Sequence, residues 1–391
     1  MKHRSKFTAL AAAAAFALGA QSAAAQETIK IGLVMPLTGV LAAVGQQAVA
    51  GAKLFVKMNG DTVAGKKIEL LIRDDASVPD NSRRLAQEFI VNDKVAVVGA
   101  GLTPNALAIA PLSTQAKIPT VIMISGTSFV VERSPYMVRT SWTLGQQAKV
   151  MAEWAAKNGS KKVVSVQSDW APGDEAAAVF IETFKAAGGQ ILDNLKIPLQ
   201  NPDFAPFLQR ARDMNPDTLF VFVPAGQAGV FARQFIERGF DKAGIKLIGT
   251  GDITDDDDLP NMGDAMIGTV TAGFFSPNQK TPLAKAYAEA FAKDNPGRRP
   301  NFVSVSGYDG MRLIYEALKK TNGNTNGDAI MEAMKGLKWE SPRGSIMIDP
   351  ETRDVVHDIY IRKVEKVDGQ LWNVEFDKVP DVKDPGHGKA K

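Results

Sequence analysis

Two loops carry residue types suited to holding a small anion. Gly99-Ala100-Gly101-Leu102-Thr103-Pro104 follows an apolar run and opens a helix-length stretch, and Ser125-Gly126-Thr127-Ser128 follows the next apolar run. Thr103 reads as a helix cap with Pro104 as the first helical residue. A hydroxyl beside unpaired N–H groups at a helix start suits a carboxylate. In the second loop Ser125 and Thr127 flank Gly126, whose missing side chain allows a ligand close to the backbone. The blander alternatives are plain capping by Thr103 and an ordinary Ser/Gly turn. A dinucleotide site fits poorly: Pro104 stands where a third glycine belongs, and no acid follows at about 20 residues. Trp170, between an apolar run and a helix-length segment, could cover an apolar ligand or fill a domain interface. Thr250-Gly251-Asp252-Ile253-Thr254 occupies the equivalent place later in the chain, where Asp252 could meet a ligand ammonium. The run Asp255 to Asp258 reads as a helix start capped by Thr254. It lacks the spaced ligands and glycine of a calcium loop.

Other chemistries find little to work with. The chain has no Cys and only His3, His357 and His387, so neither a thiolate nor a His-rich metal site is expected. There is no G-x-S-x-G, H-E-x-x-H or G-x-x-x-x-G-K-[ST]. No enzyme activity, cofactor or metal is expected. The alternative from a different class, an exported α/β hydrolase, would have to use His357 or His387.

The elements that must position these loops alternate regularly. Strands are expected at Ile29 to Met35, Ile68 to Arg73, Val95 to Val98 and Thr120 to Ile124, and helices at Leu41 to Met58, Asn81 to Val91 and Asn105 to Gln115. After Thr143 a second series pairs helices at 144–158, 174–187, 204–214 and 228–238 with strands at 162–166, 190–197, 218–223 and 245–249. Near-continuous Val/Ile runs between helices indicate parallel sheets covered on both faces. Helices at 283–294, 303–320 and 328–337 precede antiparallel strands at 345–349, 358–364 and 371–376.

The N-terminus gives the compartment. Lys2, His3, Arg4 and Lys6, the apolar run Phe7 to Ala20, and Ala23-Ala24-Ala25 before Gln26 form a secretory signal peptide. The apolar run is shorter than the roughly 20 residues that span a bilayer. Its removal takes three of the 46 Lys and Arg and none of the 43 acids, so the basic pI of 8.8 belongs to the precursor. A neutral mature surface argues against nucleic acid or an anionic membrane as partner. The mature chain exceeds the size at which one core keeps growing, so two domains are expected.

The whole mature chain resembles the branched-chain amino acid-binding proteins of bacterial ABC transporters, the type I periplasmic solute-binding proteins. The resemblance is carried by Ile29-Lys30-Ile31-Gly32-Leu33-Val34-Met35-Pro36-Leu37-Thr38-Gly39, Arg73-Asp74-Asp75-Ala76 with Pro79-Asp80, Val95-Ala96-Val97-Val98-Gly99, Ile118-Pro119, Arg139-Thr140 and Gly307-Tyr308-Asp309. It implies an α/β fold of two Rossmann-like lobes with parallel central sheets, joined by a three-segment hinge and closing over a ligand. On that basis 27–141 plus 277–350 form the N-terminal lobe, 142–276 plus 351–379 the C-terminal lobe, and 380–391 a flexible tail. Crossovers are expected near Ser141 to Thr143, Phe275 to Pro277 and Asp349 to Thr352.

The resemblance also implies that Thr103, Ser125, Gly126 and Thr127 hold a ligand carboxylate, with Leu102 beside them in the site and Trp170, Gly251 and Asp252 on the other side. The family's ammonium-binding acid falls at Gly251 or Asp252, and its pocket tyrosines fall at or near Val44, Pro172 and Pro224. An amino acid without its ammonium partner loses a charge-assisted bond of about 1.5 to 3 kcal/mol; an aromatic or keto acid loses nothing. The implied function is capture of a small carboxylate, such as a branched-chain or other apolar amino acid, for delivery to an inner-membrane permease. The alternatives are an aromatic or keto carboxylate in the same role, or a sensory protein without transport. A periplasmic monomer is expected.

Overall fold

The computed structural model describes residues 27–389, so the signal peptide read over residues 1–26 lies outside the described residues. The first sheet has six strands: β1 (Thr28–Met35), β2 (Thr62–Val63), β3 (Lys66–Asp74), β4 (Val97–Gly101), β5 (Thr120–Ile124) and β6 (Met137–Arg139), in the order β2-β3-β1-β4-β5-β6. All pairings are parallel except the β2-β3 edge hairpin. The second sheet has nine: β7 (Lys162–Ser168), β8 (Gln190–Ile197), β9 (Thr218–Phe222), β10 (Lys246–Thr250), β11 (Val270–Gly273), β12 (Lys338–Ser341), β13 (Gly344–Ile348), β14 (Val355–Val367) and β15 (Gln370–Val382). Its β8-β7-β9-β10-β11 half is parallel and the rest antiparallel. Helices alternate with these strands and cover both faces, so the two-lobe α/β expectation holds.

Each sheet reverses strand order once in its parallel part, at β1/β4 and at β7/β9. Such switch points open a crevice beyond the carboxyl ends of the strands. All the loops singled out from the sequence lie at these ends. One close helix crossing shapes the crevice. Helices Ala42–Asn59 and Phe302–Lys320 meet so closely that a Cβ on Gly51 would lie 1.7 Å from the Ser304 carbonyl, and one on Gly307 2.1 Å from that of Ala48. Glycine at both positions lets the starts of the two helices reach one wall of the crevice.

Three expectations change. The hairpin β12-β13 pairs with β14, so by hydrogen bonding residues 338–348 join the second sheet, while Arg353 just after them donates to the Met137 and Val131 carbonyls of the first lobe. Strand β15 runs to Val382, so the supposed tail begins inside a strand, and Asp384 then hydrogen-bonds Ser128 and Thr143. The acidic run does not start a helix. A short 3-10 turn, Gly251–Thr254, precedes it, and remote partners bury it: Asn301 Nδ2 donates to Asp255 and Asn373 Nδ2 to Asp256, both at 2.8 Å. The short strands β2, β6, β11 and β12 were not foreseen.

Three fully buried arginines hold the crossings. Arg343 donates to the Thr140 and Ser141 carbonyls at 2.6 and 3.0 Å and pairs with Asp309 at 2.7 Å. Arg362 donates to the Phe275 carbonyl at 2.6 Å. Arg139 pairs with Asp354 and donates to the Trp142 carbonyl. Carbonyls leaving a sheet lack ladder partners, and buried ones need a donor.

Candidate ligand-binding site

A cavity lies between the lobes. Its first-lobe wall is Leu41, Val44, Leu102, Thr103, Ile124, Ser125, Gly126, Phe302 and Val303, with Trp142 and Leu144 from the first crossing. Its second-lobe wall is Trp170, Pro172, Phe222, Pro224, Ala225 and Asp252.

The first-lobe wall is built to donate. Thr103 does not cap its helix; it is the first helical residue, preceded by Leu102 at φ +32°. A non-glycine residue in that region is strained, and such strain concentrates at functional sites. The turn brings the Thr103 hydroxyl to 2.8 Å from both the Ser125 and Thr127 hydroxyls. Behind the loop Arg139 takes up its carbonyls: those of Ser125, of Thr127 at 2.6 Å and of Ser128 at 3.1 Å. The Gly126 carbonyl accepts from the Leu144 N–H. With its carbonyls engaged behind it, the loop leaves Gly126 and the Thr103 and Ser125 hydroxyls on the cavity wall, which favours an anion. Gly126 is required sterically, since a Cβ there would lie 2.9 Å from both Trp142 Nε1 and Leu144 Cγ.

The opposite wall is apolar with one acid. Asp252 is 4% exposed, and one of its oxygens accepts from the Thr250 hydroxyl at 2.9 Å. Burial pushes its carboxyl up to about 7. Trp142 and Trp170 line the cavity, and both indole nitrogens are buried without an intraprotein acceptor. A buried donor without a partner is costly, so these two N–H groups are further candidates to meet a ligand.

The structure therefore brings Leu102, Thr103, Ser125, Gly126, Trp170 and Asp252 to one cavity. Thr127 stands one hydrogen bond behind it. Gly251 lies outside the lining: its N–H donates to Gln147, and Arg362 packs where its side chain would be. Val44, Pro172 and Pro224 line the cavity as their places in the resemblance implied. Sequence reasoning missed Trp142 and Phe302. Trp142 sits in the first crossing, and the only signal for Phe302 was the Asn301 cap before it, which accepts from the Val303 and Ser304 N–H groups.

The hydrolase alternative meets a contradiction at His357. Its Nε2 lies 3.1 Å from Gln146 Oε1 and its Nδ1 3.2 Å from Arg343. Burial and the Arg343 charge push it well below the ordinary histidine range. Among the described residues no hydroxyl is within hydrogen-bond distance of either nitrogen. His387 faces Glu132 at 3.5 Å, away from the cavity. Among the described residues no group of three or more His, Cys, Asp or Glu could hold a metal ion.

Comparison with known proteins places this geometry. The family described as "Periplasmic binding protein" matches residues 28–370. The Leu/Ile/Val-binding protein homolog 6 of Brucella melitensis is 36% identical over 97% of this chain and 99% of its own. A solute-binding protein of an ABC transporter from Rhodopseudomonas palustris BisB5, solved with 3,4-dihydroxybenzoic acid, is 59% identical with a TM-score of 0.90, covering 92% of this chain and 99% of that one. A second, from R. palustris HaA2 with p-hydroxybenzoic acid, is 38% identical with a TM-score of 0.89, covering 93% and 100%. The two switch-point crevices face one cavity, and the matches over nearly the whole described chain say what fold family that is: the chain belongs to the periplasmic binding protein family, as a solute-binding protein of an ABC transporter.

Proposed function

We propose that this protein captures an aromatic carboxylate of the hydroxybenzoate class in the periplasm and delivers it to its permease. The observation that carries the reading is the chemistry of the two walls. One sets the Thr103 and Ser125 hydroxyls and Gly126 toward an anion, and the other offers Trp170, Phe222 and prolines around a single acid. An aromatic ring gains from burial against such surfaces, and ring pairs add about 0.5 to 1.5 kcal/mol beyond area. In this reading Thr103, Ser125 and Gly126 take the carboxylate, helped by the Trp142 indole N–H, while Thr127 orients the hydroxyl cluster. Leu102 and Trp170 enclose the ring, and Asp252 accepts from a ring hydroxyl. Gly251 supports Asp252 by letting Arg362 pack against the turn. The ligands in the similar R. palustris proteins support this choice over a branched-chain amino acid. Closure around the ligand selects the closed state and presents both lobes to the permease. The basic, apolar and small-residue pattern of residues 1–26 supports export by a cleaved leader.

Asp252 also gives a leucine-like ligand one acceptor for its ammonium, so the test includes it. Thermal shifts with 4-hydroxybenzoate, phenylpyruvate and leucine separate the classes. The largest shift is expected with 4-hydroxybenzoate. A larger shift with leucine would overturn the aromatic reading.

A further inference from the structure

Beside the ligand loop, two carboxylates from elsewhere converge on one hydroxyl. Ser128 follows Thr127 in the first lobe, and its Oγ lies 2.6 Å from Glu175 Oε1 and 2.8 Å from Asp384 Oδ1. Glu175 belongs to the second-lobe helix Ala171–Ala186, and Asp384 follows β15. A hydroxyl has one proton to give. It serves one carboxylate, and the other contact is favourable only if that carboxyl carries a proton of its own. The remaining bonds decide which one does. Asp384 Oδ1 already accepts from the Thr143 hydroxyl at 2.9 Å and the Gly386 N–H at 3.0 Å. Glu175 accepts from the Ser128 N–H through Oε2 at 2.8 Å, leaving Oε1 free to carry a proton.

We propose that this junction is a proton-binding site: closing the lobes takes up one proton from solvent onto Glu175 Oε1, which donates to Ser128 Oγ, which in turn donates to Asp384. The proton is then a co-ligand of closure, held beside the loop that grips the carboxylate. The charges facing Glu175 agree. Burial dominates, pushing Glu175 up to about 7; the Ser128 hydrogen bonds and the Arg139 charge behind the loop offset part of the rise, and Asp384 adds to it. Around the same cluster stand Asp354, paired with Arg139, and Glu132 opposite His387. Opening parts Ser128 from Glu175 and returns the carboxyl to its ordinary value near 4.5.

The sign follows from linkage. The raised value belongs to the closed state, so closure is favoured at low pH and loses one proton's worth of free energy as pH rises from about 5 to about 7. Binding should weaken by up to about tenfold per pH unit across that window and level off above it.

The test compares wild type with Glu175→Gln. The amide keeps the shape: its oxygen accepts from the Ser128 N–H and its nitrogen donates to Ser128 Oγ. Calorimetric titration of 4-hydroxybenzoate between pH 5.5 and 7.5, in two buffers of different ionisation heat, reads both affinity and proton uptake. The expected result is uptake of up to one proton near pH 6 in wild type, none attributable to this site in the variant, and tighter binding by the variant than by wild type at pH 7.5. Equal pH slopes in the two proteins would overturn the proposal. Small-angle scattering of both unliganded proteins at pH 5.5 and 7.5 reads closure directly, so the clasp remains testable if 4-hydroxybenzoate does not bind. Pairs of profiles that shift together, or not at all, would also overturn it.

Discussion

The two walls of the cleft are built on the same topological device but do opposite work. The first-lobe wall is polar and strained, with Leu102 at positive φ and the Ser125, Thr127 and Ser128 carbonyls drawn back onto Arg139. The second-lobe wall is relaxed and apolar, and its single acid is buried enough to sit near neutrality at about 7. The difference teaches that the cleft has a direction. The first lobe offers an anionic end its hydroxyls, whereas the second sets a carboxylate against it and offers only the Trp170 indole N–H.

The largest break in that asymmetry should come from Arg139→Met. It removes the guanidinium that orients the loop and leaves Asp354 buried without its cation. Losing one partner of a buried pair costs about 3 to 5 kcal/mol. Urea denaturation should show a loss of that order, with carboxylate binding abolished in whatever folded fraction remains. Gly126→Ala should come next. The added methyl meets Trp142 and Leu144 at 2.9 Å, and overpacking of that kind costs about 1 to 3 kcal/mol. Here the cost should fall on ligand affinity, measured by calorimetry, because the displaced groups line the cavity. Asp252→Asn is the smallest and the sharpest. It should weaken 4-hydroxybenzoate by about 0.5 to 1.5 kcal/mol, the net worth of one hydrogen bond, and leave unsubstituted benzoate nearly unchanged. Equal losses for both ligands would place the ring hydroxyl somewhere other than Asp252.

Much of the first wall was legible in the sequence, because its signals are local. Thr103 before a proline and Ser125-Gly126-Thr127 after a Val/Ile run follow from strand, turn and helix chemistry over a few residues. Strands Thr120–Ile124 and Gln190–Ile197 were read to the residue, since apolar runs between clear breakers leave little choice. What stayed hidden depends on distant partners. Thr103 looked like a cap, but the neighbouring loop offered its hydroxyl better partners than the helix did. Asp255 to Asp258 looked like a solvated helix start until Arg298, Asn301 and Asn373 arrived from elsewhere in the chain. The role of Arg139 behind the loop has no local signal at all. Short strands such as Val270–Gly273 carry too few β-branched residues to stand out, and the sheet around them supplies what propensity does not.

The direction of the cleft is tested most directly by a crystal structure of the protein with 4-hydroxybenzoate. The expected electron density has the carboxylate within hydrogen-bond distance of Thr103, Ser125 or the Gly126 N–H, and the ring hydroxyl at Asp252. A carboxylate lying against the second-lobe wall, with the hydroxyl at the Ser125 loop, would contradict the account.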